Sequence, residues 1–432
     1  MRSPTGTAKL QRLAAQAAHE TDWVLTTWAH VIDAACLREA SRHTSTSSAA
    51  GSAGGTAPQD AAHRAEHLHA RHARRRRGCY QAPPVERVWL GQDDGGQRPL
   101  GEPTFEDKIV PRAVALRWAA SDAPDFPDSA AGVRRGRRPH EALHERRERG
   151  MTEGLGWIVE ADVSGHCERS DQPRCGARLR TRVKEGRLLR LLGTWLRAGV
   201  REEGVLRHPE PGVAQGGVIS PVWANRFRHH VLDAWCEREV RPRMQGRGFW
   251  RRFAEDVVMG GEVATDARRI MAVLPQRVAR LGLRMHPPKP ALIALRKPEA
   301  RQDTEAGNGT CAFLGLPHDG TRSRRGCWVL TRKTAKKRRR RTTKALWRGC
   351  RTNRHPPLHA QYRRLCLQLR GPGQSDGMRG TFRLLEGLAH DAEQAWRYGL
   401  SRRSSTSGIG GETFQKRLRV DPLPRPRIVH NI

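Results

Sequence analysis

Three acidic residues carry the clearest chemistry in this sequence: Asp162, which follows the apolar run WIVEA, and the adjacent Glu255 and Asp256, set between Phe253 and Val257. Carboxylates on neighbouring strands can hold two Mg²⁺ ions about 4 Å apart, one activating an attacking 3′ hydroxyl and one steadying a leaving pyrophosphate. Asp162 has the setting of a strand-end residue. Glu255 and Asp256 have that of a hairpin tip, where adjacent acids can both face one site. Taken alone, the pair reads first as an acidic turn on a solvated surface, and only the order of motifs along the chain changes that weight. His63 and His67, four apart, could in principle share a metal. No carboxylate or cysteine completes a site there, and four arginines adjoin it, so the segment reads as a solvated basic arm. The nine cysteines, Cys36, Cys79, Cys167 and Cys366 among them, are scattered without a C-x-x-C pair and read as reduced thiols.

The elements that must position these acids follow from hydrophobic spacing. Residues 8 to 40 place Leu10, Leu13, Trp23, Leu25, Trp28, Val31 and Ile32 at helical intervals, and a Ser/Gly/Ala-rich run from Ser41 to about Gln59 reads as a linker. Between Tyr80 and Leu100, PPVERVWL alternates, QDDGGQ supplies a turn and RPL resumes, which predicts a β-hairpin. Helices are expected at 105 to 120, 184 to 199 and 264 to 282. Strands are expected at 156 to 163, around 253 to 260 and at 309 to 316. Beyond Arg332 the chain turns helical and very basic, beginning RKTAKKRRRR.

At 432 residues the chain should form two or three lobes, each with its own core. Its 79 Lys and Arg against 44 Asp and Glu leave a net charge of +35, which suits a polyanionic partner, nucleic acid first. No run of about 18 apolar residues exists to span a bilayer, and no apolar segment follows the N-terminus as in a secretory signal. A soluble protein of a bacterial cytoplasm is expected.

The ordered blocks RVWLGQDDGGQRPLGEPTFEDKIVPRAV, GVRRGRRPHEAL, WIVEADVSGHCE, LLRLLGTWLRAGV, GVAQGGVISPVWAN, FAED, MHPPK, FLGL and PLPRPRIVH resemble those of reverse transcriptases encoded in group II introns, with an attached maturase region. QGGVISP is the most specific of them. The resemblance implies an α+β right-hand polymerase fold: an N-terminal helical element (1–40), a linker and basic arm (41–79), fingers and palm with an antiparallel palm sheet flanked by helices (80–316), and a helical thumb or maturase region (317–432). It makes Asp162, Glu255 and Asp256 the ligands of two Mg²⁺ ions and puts Gln215 in the pocket of the incoming nucleotide. Gly216 and Gly217 would let backbone approach that nucleotide closely. Arg98 matches a triphosphate-gripping arginine. Lys289 matches a lysine that could protonate the leaving pyrophosphate, or is an ordinary surface lysine. The implied partners are intron RNA as template, a DNA primer and dNTPs. Arg338, Arg339, Arg340 and Arg341 are expected on RNA phosphates.

The chain departs from the family pattern where chemistry is concerned. FAED stands for Y-A-D-D, so Glu255 replaces an Asp and extends its carboxylate by roughly 1.5 Å, whereas Mg²⁺ tolerates little departure from octahedral geometry. His166 and Cys167 stand where two aromatics are usual, and the small Cys167 should weaken rejection of ribonucleotides. Gln92 replaces a triphosphate-binding lysine, and Ala214 a proline. LRGPGQSDG stands where an aromatic-rich segment is usual, and Pro372 with Gly373 should break a helix there. Three functions therefore compete: an active RNA-directed DNA polymerase that also aids splicing, a maturase that only clamps intron RNA, and the product of a decaying mobile element. Family and fold favour the first; the departures favour the other two.

Overall fold

The structure is a computed structural model that describes residues 6–20, 24, 32–44, 82–91, 96–103, 105–164, 180, 183–196, 198–207, 217–286, 291–295, 310–314, 316–322, 328–332, 336–403 and 408–430. Two helices, α1 (Gly6–His19) and α2 (Ala34–Arg42), precede the hairpin formed by β1 (Val85–Gly91) and β2 (Gln97–Glu102). Helices α3 (Phe105–Asp122) and α4 (Pro139–Thr152) lead to strand β3 (Trp157–Ser164). Then come α5 (Gly186–Leu196), the short strands β4 (Val200–Glu202) and β5 (Val205–Arg207), and α6 (Ser220–Arg228). The path of α6 continues through π-helical turns at His229–Asp233 and Cys236–Val240. Hairpin β6 (Gly248–Phe253) and β7 (Asp256–Gly261), helix α7 (Ala264–Arg280) and strands β8 (Arg284–Met285) and β9 (Ala291–Ala294) complete this part. The architecture is α+β.

A five-stranded antiparallel sheet is the centre, with β3 between β7 and the β8 and β9 strands, and β6 outside β7. Strand alternation explains why these residues form it. Trp157, Val159, Ala161 and Val163 point into one core with Ile109, Val114 and Trp118 of α3, Trp223 and Phe227 of α6, and Leu274 and Val278 of α7. Ile158 points the other way with Val258 and Phe249, against Leu143 of α4. A sheet buried on both faces needs apolar residues at nearly every position, so Glu160, Asp162 and Asp256 stand out against the run.

The second face is closed by a three-stranded sheet, β10 (Cys311–Phe313), β11 (Leu316–Arg322) and β12 (Trp328–Arg332). β11 begins at Leu316, where the sequence reading divides the lobes, so that sheet straddles the division. The separate helical core begins with α8 (Lys336–Thr352) and includes α9 (Leu358–Asp376), α10 (Phe382–Ser401) and α11 (Gly411–Val420), packed around Leu346, Leu365, Leu388, Trp396 and Phe414. The expected helix break at Pro372 is corrected here. Pro372 lies inside α9, which runs on to Asp376. So close to the helix end proline forfeits one internal hydrogen bond, and Asp376 holds the terminus by accepting from Ser375 (2.7 Å) and pairing with Arg338 (3.4 Å). No helix among the described residues is long and apolar enough to cross a membrane.

Candidate active site

Asp162 of β3 and Asp256 of β7 are register partners. Two flanking hydrogen bonds fix which kind of pair they form. Val163 N–H donates to Glu255 O (3.1 Å), and His286 N–H donates to Asp162 O on the opposite edge of β3 (2.8 Å). The carbonyl of Asp162 therefore points away from β7, and Asp162 with Asp256 is a non-hydrogen-bonded pair. Such pairs bring Cα atoms to about 4.5 Å and side chains closer than the alternate pairs do. Both carboxylates leave the same face at the end of the sheet, and both residues are half-buried.

Glu255 does not join them. It sits in the two-residue turn after Ala254, which has φ +55°, a left-handed conformation costly for a residue with a Cβ. Its carboxylate lies 3.9 Å from Nη2 of Arg228, the last residue of α6. Arg228 is 2% exposed, the Glu255 side chain 48%. Among the described residues no group of three His, Cys, Asp or Glu is placed to hold a metal ion. The donors thus fit one Mg²⁺, which commonly binds through one or two carboxylates with water and phosphate completing its shell. They do not supply the third acid that the sequence suggested for a second ion.

The hairpin carrying Glu255 and Asp256 is anchored by a buried polar network that the sequence reading missed. Arg252, fully buried, donates through Nε and Nη2 to both carboxylate oxygens of Asp233 (2.8 and 2.6 Å) and through Nη1 to Asn225 Oδ1 (2.7 Å). Burial alone would raise the Asp233 carboxyl, but the Arg252 guanidinium overcomes it and holds that pKa below the ordinary range. The backbone of Arg252 is tied too, donating to Ser129 O (2.9 Å) and accepting from Ala131 N (2.9 Å). Beside it Gly132 lies so close to the turn that a Cβ would stand 2.1 Å from Ala254 N, so only glycine permits this approach. The available signal was an arginine inside an apolar strand, just before FAED.

Other expected site residues are placed less fully. Gln92, His166, Cys167, Ala214, Gln215, Gly216 and Lys289 lie outside the described residues, as do His63 and His67. Arg98 is on β2 opposite Leu90, with its side chain outside the described set. Gly217 is in the turn entering α6, its carbonyl accepting from Ser220 N (3.1 Å). Arg339, Arg340 and Arg341 are exposed on α8, whereas Arg338 is partly buried and paired with Asp376. Exposed Trp347 of α8 tilts against Tyr398 of α10 at 5.5 Å between ring centroids, and the Arg402 guanidinium lies 5.3 Å from the Tyr398 ring.

No family model matches the chain. Among curated proteins it is 32% identical over 181 residues to Protein YkfC of Escherichia coli, covering 40% of this chain and 46% of that protein. It is 32% identical over 156 residues to the group II intron-encoded protein LtrA of Lactococcus lactis, covering 36% of this chain and 26% of that one. It is 29% identical over 154 residues to a 91 kDa protein in the cob intron of Schizosaccharomyces pombe, covering 36% of this chain and 19% of that protein. The chain thus spans less than half the length of these relatives. A solved structure of telomerase from Candida albicans, with a fragment of telomeric RNA, aligns at a TM-score of 0.42 and 11% identity over 74% of this chain and 59% of that one. Over 36–39% of its length the chain is thus similar in sequence to group II intron-encoded and other intron proteins.

Proposed function

We propose that the chain is an RNA-directed DNA polymerase of the intron-encoded kind, with a maturase role, whose nucleotidyl-transfer site is the face shared by Asp162 and Asp256. The observation that carries this reading is their opposition across β3 and β7. These two carboxylates would hold Mg²⁺, which when bound supplies a polarised 3′ hydroxyl and neutralises charge on the leaving pyrophosphate. The chain's own part is positional. Arg252 and Asp233 lock the β6–β7 hairpin, and Gly132 seats its turn, so Asp256 stays opposite Asp162 while substrates exchange. From the family resemblance, Gln215, Gly216 and Gly217 would line the nucleotide pocket, Arg98 would grip the triphosphate, Lys289 would protonate pyrophosphate, and Cys167 would exclude ribonucleotides poorly. Intron RNA is the template we assign, with a DNA primer and dNTPs, in a cytoplasm.

A second reading, a maturase that only binds intron RNA, is favoured by one observation: Glu255 is engaged by Arg228 and not by the other acids. Primer extension on an RNA template with Mg²⁺ and then Mn²⁺ separates the two. The polymerase reading expects extension that falls at least about a hundredfold in Asp162→Asn and in Asp256→Asn, the scale of losing a principal electrostatic group. Extension indifferent to both substitutions removes that reading. No extension with either ion, while RNA binding persists, supports the second.

A further inference from the structure

We infer that Arg228 is a positioning residue that holds Glu255 away from the Asp162–Asp256 face and so weakens divalent-cation binding there, as a built-in competitor for the third acid. The inference rests on the proposed reading of that face as the metal site. Its ground is the geometry of the turn. Asp256 begins β7 and shares the Asp162 face, while Glu255, one residue earlier, has Val163 as its backbone partner and directs its carboxylate to Arg228.

Length and burial both favour that pairing. A carboxylate one methylene shorter would end roughly 1.5 Å back, leaving the 3.9 Å contact well outside ion-pair range. At 2% exposure the Arg228 guanidinium needs a compensating carboxylate near it. Swinging Glu255 toward a metal would withdraw a carboxylate from a buried cation, a cost that metal binding must meet. The acid identity at 255 and the arginine at 228 therefore act as a unit.

The test is Mn²⁺ binding to the full chain, read by the loss of the free-ion paramagnetic resonance signal, with no polymerisation required. Arg228→Leu should tighten Mn²⁺ binding by about tenfold or more, Arg228→Lys should stay near the natural chain, and Arg228→Leu combined with Glu255→Gln should lose the gain. If Arg228→Leu does not fold, Glu255→Asp, which falls short of Arg228, should bind Mn²⁺ more tightly than the natural chain. Unchanged affinity in the folded Arg228→Leu chain, or in Glu255→Asp where that is the variant measured, overturns the inference. Asp162→Asn and Asp256→Asn separate the two levels. If neither lowers Mn²⁺ affinity the site reading itself fails; if both do and the Arg228 series is flat, only the role of Arg228 fails.

Discussion

Glu255 and Asp256 are consecutive in sequence, yet one engages the buried guanidinium of Arg228 and the other stands beside Asp162 on the opposite side of the strand. Alternation along an extended chain produces this divergence, and the left-handed Ala254 before it sets the angle at which the turn enters β7. Two adjacent acids at a hairpin tip need not serve one site. The length of the first side chain decides where its charge goes.

Glu255→Asp is therefore expected to raise primer extension by at least tenfold, about 1.4 kcal/mol of barrier. The change keeps the charge and sits at the chemistry, so its effect belongs in kcat with KM little altered. Steady-state extension with Mg²⁺ checks it. A natural chain already as fast as the variant would mean that Glu255 is adapted to its place.

Arg252→Met should destabilise the fold by about 3–5 kcal/mol, because it leaves the Asp233 carboxylate buried without its bidentate partner. Adding Asp233→Leu should recover much of that loss, since the pair would be replaced by apolar groups. Denaturant unfolding of the single and double variants reads both numbers. A single-variant loss under about 1 kcal/mol, the scale of a surface ion pair, would show that the network does not anchor the hairpin.

Much of this was legible in the sequence, for physical reasons. Periodicity marked α5 and α7 because each buries one face, alternation around a Gly-rich turn marked the β1–β2 hairpin although β1 is largely exposed, and the apolar run around Asp162 marked a strand buried on both faces. What escaped was the direction of single side chains. Nothing in FAED tells that Glu255 meets Arg228, since that contact joins residues 27 apart through a helix and a turn. Arg252 escaped likewise: in a linear reading it adds to a large basic surplus, and only the fold brings Asp233 and Asn225 around it. Pro372 lies inside α9 with about one further turn beyond it, and the one hydrogen bond it forfeits does not end the helix.

Acid should weaken the packing of the β10–β12 sheet through His318. This residue of β11 is fully buried between its register partners Cys311 and Arg332. Burial, with the Arg146 and Arg332 guanidinium groups adding to it, holds its pKa well below 6.5. The unfolded chain therefore binds a proton that the folded chain refuses. Stability is fully present above about pH 6.5 and declines as pH falls from there toward the lower folded pKa, by up to about 1.4 kcal/mol per pH unit from this group. His318→Leu should remove that slope, so stability measured between about pH 7 and pH 5, a window that brackets the ordinary histidine value, should fall less in the variant. Parallel profiles would show that His318 does not carry the acid sensitivity.

RNA binding divides the basic residues of α8 by what they touch. Arg338 pairs with Asp376 at 3.4 Å and is partly buried, so it serves the helical core as well as any ligand. Arg339, Arg340 and Arg341 are exposed, as are Lys344 and Arg348. Replacing Arg339, Arg340 and Lys344 by Ala should weaken binding of single-stranded RNA and flatten the slope of log affinity against log salt by up to about 0.7 for each phosphate that is no longer neutralised. Arg338→Ala should instead lower thermal stability, because Asp376 is buried and its charge would stand without this cation. Trp347 offers a different kind of interaction. Its exposed ring, set against Tyr398 with Arg402 over that second ring, can stack a base, and stacking contributes about 1–3 kcal/mol per base without releasing counterions. Trp347→Ala should thus lower affinity at every salt concentration and leave the slope unchanged. Fluorescence anisotropy of a labelled RNA across a salt series reads the triple and Trp347 variants, and a thermal melt reads Arg338→Ala. A triple variant with an unaltered slope would return these cations to the role of a solvated helix face, and a Trp347→Ala chain that binds as before would leave phosphate pairing as the whole of the interaction on this surface.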